Sequence, residues 1–142
     1  MAQLLVGDAL LARAEAALAV ALPDALGLEF VDPADPLAGV AFEVAGIAVT
    51  PAATLHGSAL AAALELVGYL AVLPTLTVGE HAVTHQLSVQ YLRAVTVGQR
   101  VRVRGELARR TRALAFVGVD AVLESDGTSV AQGQLTKSVV AF

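Results

Sequence analysis

One carboxylate in the chain stands in an unusual place, because Glu65 lies in the middle of an apolar run. Its neighbours, residues 61–64 and 66–67, are alanine, leucine and valine. A charged carboxylate that is buried without a partner is costly, so Glu65 is expected to be paired, protonated or facing a cavity. Because buried ionisable groups cluster at working sites, a catalytic role is one interpretation. The other is that Glu65 points to solvent or into a salt bridge between subunits.

A second candidate group, His56-Gly57-Ser58, lies just before the same apolar run. If the run is a helix, these residues stand at its N-terminus. There the free backbone N–H groups and the positive end of the helix dipole can hold a developing oxyanion. Gly57 also lets a ligand approach the backbone closely. The alternative is an ordinary helix start with Ser58 near a capping position.

The spacing of the two candidates predicts how they can cooperate. His56 and Glu65 are nine residues apart, which in a helix is a rise of about 13 Å with roughly half a turn of rotation. Glu65 and Gly57 of one chain are therefore too far apart to hold one small reacting group. If they share a site, the site lies between two subunits, and the chain is expected to form a homodimer.

Two helices are predicted from periodicity and prolines. Apolar residues recur at helical spacing over Gly7–Leu22, and Pro23 is expected to end this helix. Residues 23–36 are typical of a loop, with three prolines and several acids. The second helix is predicted over Gly57–Leu73, ended by Pro74. It is apolar on nearly every face, so we expect it to be buried.

The remaining segments predict strands. Most of them alternate apolar and polar residues, whereas the run Leu114–Leu123 is nearly all apolar, as expected of a central strand. In the strand over 83–91 the alternation assigns Thr84 and Gln86 to one face and Val83 and Leu87 to the other. Asp126-Gly127 is a hairpin signal. The predicted strands are Val40–Thr50 with a possible bulge at Gly46, 83–91, 100–107, Leu114–Leu123 and Ser129–Val140.

Together these elements predict an α+β fold in which a curved antiparallel sheet wraps around one apolar helix, with an extra N-terminal helix. We expect one domain over 1–142, with an N-terminal helix and loop over 1–36 and a core over 40–141.

Composition narrows the classes of function. The apolar fraction is 56 %, only 15 % of residues are charged, and the net charge is −4. A chain this apolar is expected to bury surface between subunits, whereas nucleic-acid binding is excluded by the lack of a basic stripe. The chain has no cysteine and three scattered histidines, so we expect no metal site. Neither a signal peptide nor a membrane span is expected, and we predict a soluble cytoplasmic protein.

The order of several short segments resembles a known family. Leu55-His56-Gly57-Ser58 followed by Glu65 resembles the His-Gly-Gly…Asp/Glu signature of the phenylacetate-degradation type of hotdog thioesterases, a group that includes Glu-using 4-hydroxybenzoyl-CoA thioesterases. The resemblance spans roughly residues 40–140. It continues through Leu87–Arg93, Ala113–Phe116, Ala131–Gly133 and Thr136-Lys137.

The resemblance implies a hotdog fold and the hydrolysis of an acyl-CoA thioester to a free acid and CoA, with no cofactor other than the CoA of the substrate. It implies that Glu65 is the base or nucleophile, that the Gly57 N–H polarises the thioester carbonyl, and that His56 positions the thioester or the loop. Thr84 matches a Ser/Thr position that can hydrogen-bond near the carboxylate or its water. In this family Glu65 and Thr84 come from one subunit and the His56-Gly57 loop from its partner, and dimers are expected to pair into tetramers.

The chain departs from the family pattern at three places. Thr50 stands where Asn or Gln is common, Ser58 replaces the second glycine, and Thr111-Arg112-Ala113 replaces a Gly-Arg-Thr segment. Thr50 and Ser58 can still contact the substrate, and Tyr69, one turn after Glu65, can line the acyl pocket or simply pack in the core. Candidate contacts to the CoA phosphates are Arg93, Arg110, Arg112 and Lys137.

Two other functions compete with thioester hydrolysis. One is a non-catalytic acyl-CoA binding or sensing module of the same fold, which the departures at Thr50 and Ser58 favour and the presence of Glu65 disfavours. The other is a dehydratase of hydroxyacyl thioesters. The acyl group, aryl or medium-chain aliphatic, stays open, as does the choice between covalent attack and direct attack by water.

Overall fold

An antiparallel six-stranded sheet curves around one central helix in the computed structural model, which describes residues 2–142. The predicted α+β architecture is thereby confirmed. The helices are α1 (Gly7–Ala19), α2 (Ala21–Ala25) and α3 (Gly57–Val72). The strands are β1 (Glu29–Phe30), β2 (Val40–Glu43), β3 (Glu80–Tyr91), β4 (Arg100–Arg110), β5 (Leu114–Leu123) and β6 (Ser129–Ala141).

The strands are ordered β1-β2-β4-β5-β6-β3 across the sheet. The three long pairs β4–β5, β5–β6 and β6–β3 are antiparallel, and the first two are hairpins. As predicted, the apolar strand β5 is central, and Asp126-Gly127 forms the turn before β6, with Gly127 at a φ of 73°. The 12-residue strand β3 forms one edge of the sheet, so one side of its backbone has no strand partner.

The helix α3 fills the hollow of the sheet and forms the core with it. Ten of its 16 residues are buried. The backbones come very close where Gly105 of β4 meets the helix, because a Cβ built there would lie only 2.5 Å from the carbonyl oxygen of Val67. The stretch Gly57–Thr75 is long and apolar enough to cross a membrane, but 67 % of its apolar window is buried inside the fold. Its apolar character is therefore that of a core helix.

The N-terminal third differs from the prediction in several bounds. The first helix ends at Ala19, and Pro23 lies inside α2 rather than after α1. Pro23 is the third residue of α2, where an N–H has no partner within the helix, so the missing donor costs nothing there. The predicted loop 23–36 also contains the short strand β1.

The first predicted strand is also shorter than expected. It ends at Glu43, and Gly46, at a φ of 55°, opens a 3-10 turn over Gly46–Ala48 instead of a bulge. Pro74 likewise lies in a 3-10 turn, Leu73–Thr75, that directly continues α3. The predicted bounds of α3 are otherwise correct to within one residue.

A β-bulge at His85 changes the two faces of β3. The register with β6 shifts between Thr84 and Gln86. Thr84 therefore lies on the inner face near α3, whereas Gln86 lies on the outer face with Ser88. The prediction that Thr84 and Gln86 share a face is wrong, because an extra residue in one strand inverts the alternation beyond it.

Candidate active site

The N-terminus of α3 is capped by His56 rather than by Ser58. The His56 Nδ1 accepts a hydrogen bond from the Ser58 N–H at 3.2 Å, and the His56 carbonyl accepts from the N–H groups of Ala59 and Leu60 at 3.0 and 3.1 Å. Because Nδ1 accepts, the ring proton of a neutral His56 lies on Nε2. Of the first four N–H groups of the helix, those of Ser58, Ala59 and Leu60 thus have acceptors. The fourth, that of Gly57, has no acceptor within residues 2–142.

The Gly57 backbone is held against the end of β3. The hydroxyl of Tyr91 donates to the Gly57 carbonyl at 3.0 Å, and the Tyr91 ring lies 3.5 Å from the position that a Cβ of residue 57 would occupy. Beside them is an open hollow of about 330 Å³ whose lining includes Arg93 and Val130. Gly57 therefore lies at the rim of an accessible hollow.

Thr50 organises the loop that leads to His56. Its hydroxyl lies 2.8 Å from the hydroxyl of Thr54 and accepts from the N–H groups of Ala52 and Thr54. The loop is further closed by the His56 N–H, which donates to the Ala48 carbonyl at 2.7 Å. In this chain the hydroxyl of Thr50 is therefore engaged inside its own loop, so any contact with a substrate would compete with these bonds.

Glu65 lies half-buried on one flank of α3, not in the core. Within residues 2–142 its carboxylate has no hydrogen bond and no ion pair within 4 Å. The flank also carries Ser58, Ala62 and Tyr69 at helical spacing. The carboxylate is thus partly open to solvent and is not part of a buried ion pair in the single chain.

Beside Glu65 lies a cluster that joins α3 to strands β3 and β6. The Lys137 Nζ donates to the Thr84 Oγ1 at 3.1 Å and lies 5.6 Å from the centroid of the Tyr69 ring. Burial lowers the pKa of Lys137 to about 8, and the negative charge of Glu65 acts in the opposite direction. Three sequence-predicted residues, Glu65, Thr84 and Tyr69, are therefore brought together around Lys137.

The prediction that Lys137 contacts a CoA phosphate does not fit this position. Lys137 is 5 % exposed and is the one buried charged residue in the described part of the chain. Its side chain points under α3 because residue 137 is on the inner face of β6, next to Leu135 in the alternation. A phosphate at the surface is out of its reach.

Tyr69 is tied to the start of β3. Its hydroxyl lies 2.8 Å from the Nδ1 of His81, and the His81 ring stacks on Phe142 with 4.4 Å between centroids. Burial, followed by the charge of Arg13, lowers the pKa of His81. The Tyr69 ring is therefore fixed in place beside Lys137 rather than free to move in a pocket.

The candidate residues form two groups along the same side of the molecule. Strand β3 runs antiparallel to α3, with Tyr91 beside Gly57 at one end and His81 beside Tyr69 at the other. Gly57 and Glu65 are eight residues apart in α3, about 12 Å along its axis. The two groups lie at different positions along α3 and β3, so they do not meet within one chain.

The arginines that were candidate phosphate contacts are also divided between the two ends of α3. Arg93 is exposed beside the Gly57 hollow. Arg112 is exposed in the β4–β5 turn, near the C-terminal end of the helix. The Arg110 guanidinium donates to the Thr75 Oγ1 at 3.0 Å and to the Thr111 carbonyl, so Arg110 fastens this turn to the end of α3.

Two features escaped the sequence reasoning. Tyr91 was assigned only to a strand, although an aromatic residue with a polar tip at a strand end is a signal for a contact of this kind. The second is an open apolar hollow of about 270 Å³ beside His56 and Ser58. Its apolar lining is Leu22, Leu26, Ile47, Ala59 and Ala62. Within residues 2–142 no three His, Cys, Asp or Glu side chains are grouped to hold a metal ion.

Comparison with known proteins identifies the class of protein. The model of the Thioesterase superfamily matches residues 52–130, which are more than half of the chain and include the candidate residues other than Thr50 and Lys137. The chain therefore belongs to the Thioesterase superfamily.

Individual relatives agree with this assignment. Acyl-coenzyme A thioesterase 13 of Mus musculus is 26 % identical over 84 residues, which are 59 % of this chain and 59 % of that protein. The match thus spans about three fifths of the length of this relative. A thioesterase of Haemophilus influenzae has a similar structure, with a TM-score of 0.82, 22 % identity and coverage of 99 % of this chain and 96 % of that one.

A Bacillus halodurans protein whose crystal structure contains CoA is similar as well. Its TM-score is 0.74 at 23 % identity, with coverage of 92 % of this chain and 83 % of that one. Identities of this size show a common fold, and the expected hotdog fold is thereby confirmed.

Proposed function

We propose that this protein hydrolyses an acyl-CoA thioester to a free acid and CoA, in a site formed between two copies of the chain. One observation carries the proposal: among residues 2–142 neither the Glu65 carboxylate nor the Gly57 N–H has a partner, and both belong to α3, which contacts the edge strand β3 through Gly57–Tyr91 and Tyr69–His81. A base and an oxyanion donor are the two groups that acyl transfer to water requires. Membership of the Thioesterase superfamily and the CoA-bound structural relative support the choice of thioester.

The proposed reaction assigns a task to each group. Glu65 removes a proton from water while the water oxygen bonds to the thioester carbonyl carbon, or attacks that carbon itself to form an anhydride that water then opens. The Gly57 N–H stabilises the negative charge that develops on the carbonyl oxygen. The C–S bond breaks, and the CoA sulfur leaves as a thiolate that takes up the proton given up by the attacking water. Thr84 hydrogen-bonds to the water or the carboxylate.

A homodimer supplies the geometry that one chain lacks. Two β3 edges that pair in antiparallel fashion run in opposite directions, so the Gly57 end of one subunit lies toward the Glu65 and Thr84 end of the other. The edge is 12 residues long and carries exposed apolar side chains at Val83 and Tyr91. An unpaired strand of this kind readily pairs with another chain. Pairing of dimers into tetramers and a cytoplasmic location stay predictions.

The substrate contacts are proposed from exposure and chemistry. The hollow beside His56 and Ser58 has an apolar lining and suits an aliphatic or aryl acyl group rather than a charged one. The His56 Nε2–H and the Ser58 hydroxyl are free to donate to the thioester arm. Arg93 and Arg112 are exposed and suit the phosphates of CoA, one at each end of α3.

The proposal is tested by thiol release from a panel of aryl-, short-chain and medium-chain acyl-CoAs. We expect turnover by wild type and a loss of about 100-fold or more in kcat for Glu65→Gln, since the amide cannot accept a proton. Glu15→Gln is the matched control, because Glu15 is exposed on α1, and it is expected to retain full activity. Equal rates in all three proteins would refute a catalytic Glu65.

The competing functions give different products in the same experiment. A sensing module binds acyl-CoA but releases no thiol from any member of the panel. A dehydratase converts a hydroxyacyl-CoA to an unsaturated acyl-CoA, and the thioester bond stays intact. Either result replaces the hydrolytic proposal.

A further inference from the structure

The only lysine among the 142 residues, Lys137, is buried next to the candidate carboxylate. The other eight basic side chains are all arginines. An ammonium loses much of its hydration on burial, so burying Lys137 costs free energy that other interactions must offset. The hydrogen bond to Thr84 and the nearby Tyr69 ring compensate only part of this cost.

The bond from Lys137 decides the direction of the Thr84 hydroxyl. An ammonium has three donors and no acceptor, so Thr84 must accept from it. The single proton of the Thr84 hydroxyl is therefore directed away from Lys137 and is available to the water or carboxylate on the other side. A neutral amine could instead accept that proton, and the hydroxyl would then be free to turn inward.

Lys137 also provides the positive charge closest to Glu65 in the cluster. From α3, the groups that face the ammonium are the Glu65 carboxylate and the Tyr69 ring, whose hydroxyl is occupied by His81. The negative charge of Glu65 stabilises the charged form of Lys137.

The strands around Lys137 bring no other titratable group into contact with it. On β3 its register partner is Thr84, and on β5 it is Ala115. One strand further, Arg110 lies in the same row, but its guanidinium is bonded to Thr75 and to backbone carbonyls. The coupling to be tested is therefore that between Lys137 and Glu65.

We propose that Lys137 is a positioning residue of the hydrolytic site, where its ammonium lies near the Glu65 carboxylate and orients the Thr84 hydroxyl outward. The proposal rests on the hydrolytic function proposed above, but the charge state and the neighbour of Lys137 can be tested without a substrate. It replaces the expected phosphate contact of Lys137 by an action exerted through two other side chains.

The first test is NMR titration of protein labelled with [ε-¹³C]lysine. Because there is one lysine, the spectrum has one side-chain signal. We expect a titration midpoint near pH 8 in wild type, in line with the pKa of about 8, and a lower midpoint in Glu65→Gln, because the neutral amide no longer stabilises the ammonium. Glu15→Gln should leave the midpoint unchanged. A wild-type midpoint at the ordinary value of about 10.4, or an identical midpoint in Glu65→Gln, would overturn the proposal.

The second test is the pH dependence of hydrolysis in Lys137→Met and Lys137→Arg. In Lys137→Met we expect kcat to fall about 10-fold with KM within about 2-fold. In wild type, kcat should fall as the pH rises above about 8, because the neutral amine of Lys137 no longer fixes the direction of the Thr84 hydroxyl. Lys137→Arg keeps the charge and the donors, so it should restore kcat and hold it to higher pH. A purely structural lysine would leave the alkaline limb of Lys137→Arg where it is in wild type.

The two tests separate the possible failures. If no protein releases thiol, the hydrolytic function fails while the titration still decides whether Lys137 and Glu65 are coupled. If Lys137→Met does not fold, the titration of wild type and Glu65→Gln decides alone. An uncoupled titration with normal thiol release rejects the role of Lys137 and retains the hydrolase.

Discussion

The hydroxyl of Thr84 and the ammonium of Lys137 are joined across the β3–β6 pair by a hydrogen bond of 3.1 Å. The two residues are direct register partners, and the bulge at His85 ends that register immediately afterwards. Because of this bulge, Thr84 faces the central helix while the next polar residues of β3 face outward. One inserted residue thus sets the part of the candidate site that adjoins Glu65.

The burial of Lys137 predicts an unusual dependence of stability on pH. The pKa is about 8 in the folded protein and 10.5 without the fold. Between these two pH values the unfolded chain holds one more proton than the folded one, so the free energy of unfolding rises with pH by about 1.4 kcal/mol per unit. Below pH 8 both states are protonated and the cost of burying the charge is fully present. Above pH 10.5 the lysine is neutral in both states, and the cost of burying its charge has disappeared.

Urea unfolding at pH 8.0 and 9.5, at one protein concentration, checks this sign. We expect wild type to gain about 1–2 kcal/mol over that range. The gain should be absent in Lys137→Met, which has no amine to titrate. A wild-type stability that is constant or falls over the same range contradicts the burial of a charged Lys137.

The close approach of α3 to β4 predicts a large cost for one added methyl group. In Gly105→Ala the new Cβ would lie 2.5 Å from the Val67 carbonyl oxygen, so the helix or the strand must shift. We expect a loss of about 2–3 kcal/mol in the free energy of unfolding. Gly118→Ala on the neighbouring strand is the matched control, because its nearest atom is 3.9 Å away, and it should lose nothing. Similar melting curves for the two variants would show that the helix does not rest on Gly105.

The bond between Tyr91 and Gly57 predicts a measurable loss of catalysis with only a small loss of stability. Tyr91→Phe keeps the ring beside Gly57 but removes the donor to its carbonyl. We expect a loss of at most about 1 kcal/mol in stability and of about 3–10-fold in kcat/KM, because the Gly57 N–H is less well held. Tyr91→Leu also removes the ring and should lower kcat/KM further. Unchanged kinetics in Tyr91→Phe would mean that the loop is held by His56 and Thr50 alone.

If the proposed dimer forms through the unpaired edge of β3, positive charges introduced on that strand should dissociate it. The double variant Ser88→Lys and Gln90→Lys places two positive charges on the edge strand, and in a two-fold dimer they meet their own copies. We expect dissociation to monomers by light scattering, together with loss of thiol release.

A control for the edge variant lies one strand further in. Gln134 and Gln132 are the register partners of Ser88 and Gln90 on β6. The double variant Gln132→Lys and Gln134→Lys adds the same charge on the same face, away from the edge. It should keep the dimer and its activity. If both double variants remain active dimers, the composite site does not form through β3.

Several differences between prediction and structure have the same physical origin. Pro23 was taken as a helix end because its ring blocks a helix interior, but the chain begins a new helix two residues before it. The alternation at Thr84 and Gln86 was read as one continuous strand, but the bulge that breaks it is stabilised by pairing with β6, 50 residues away. The local sequence limits the conformations that a segment can adopt, whereas contacts with distant residues determine which of them forms.

The sequence by itself determined the elements whose cause is local. The apolar run that begins at Gly57 defines α3, two-residue alternation defines β4, the apolar run Leu114–Leu123 defines β5, and Asp126-Gly127 defines the turn before β6. The distance between Gly57 and Glu65 also follows from helix geometry alone. Only the tertiary structure decided that Thr84 turns inward, that Tyr91 holds Gly57, and that the sole lysine lies buried beside the catalytic candidate. These depend on the register of β3 with β6 and on how α3 docks against the sheet, which are set by contacts far apart in sequence and leave no local pattern to read.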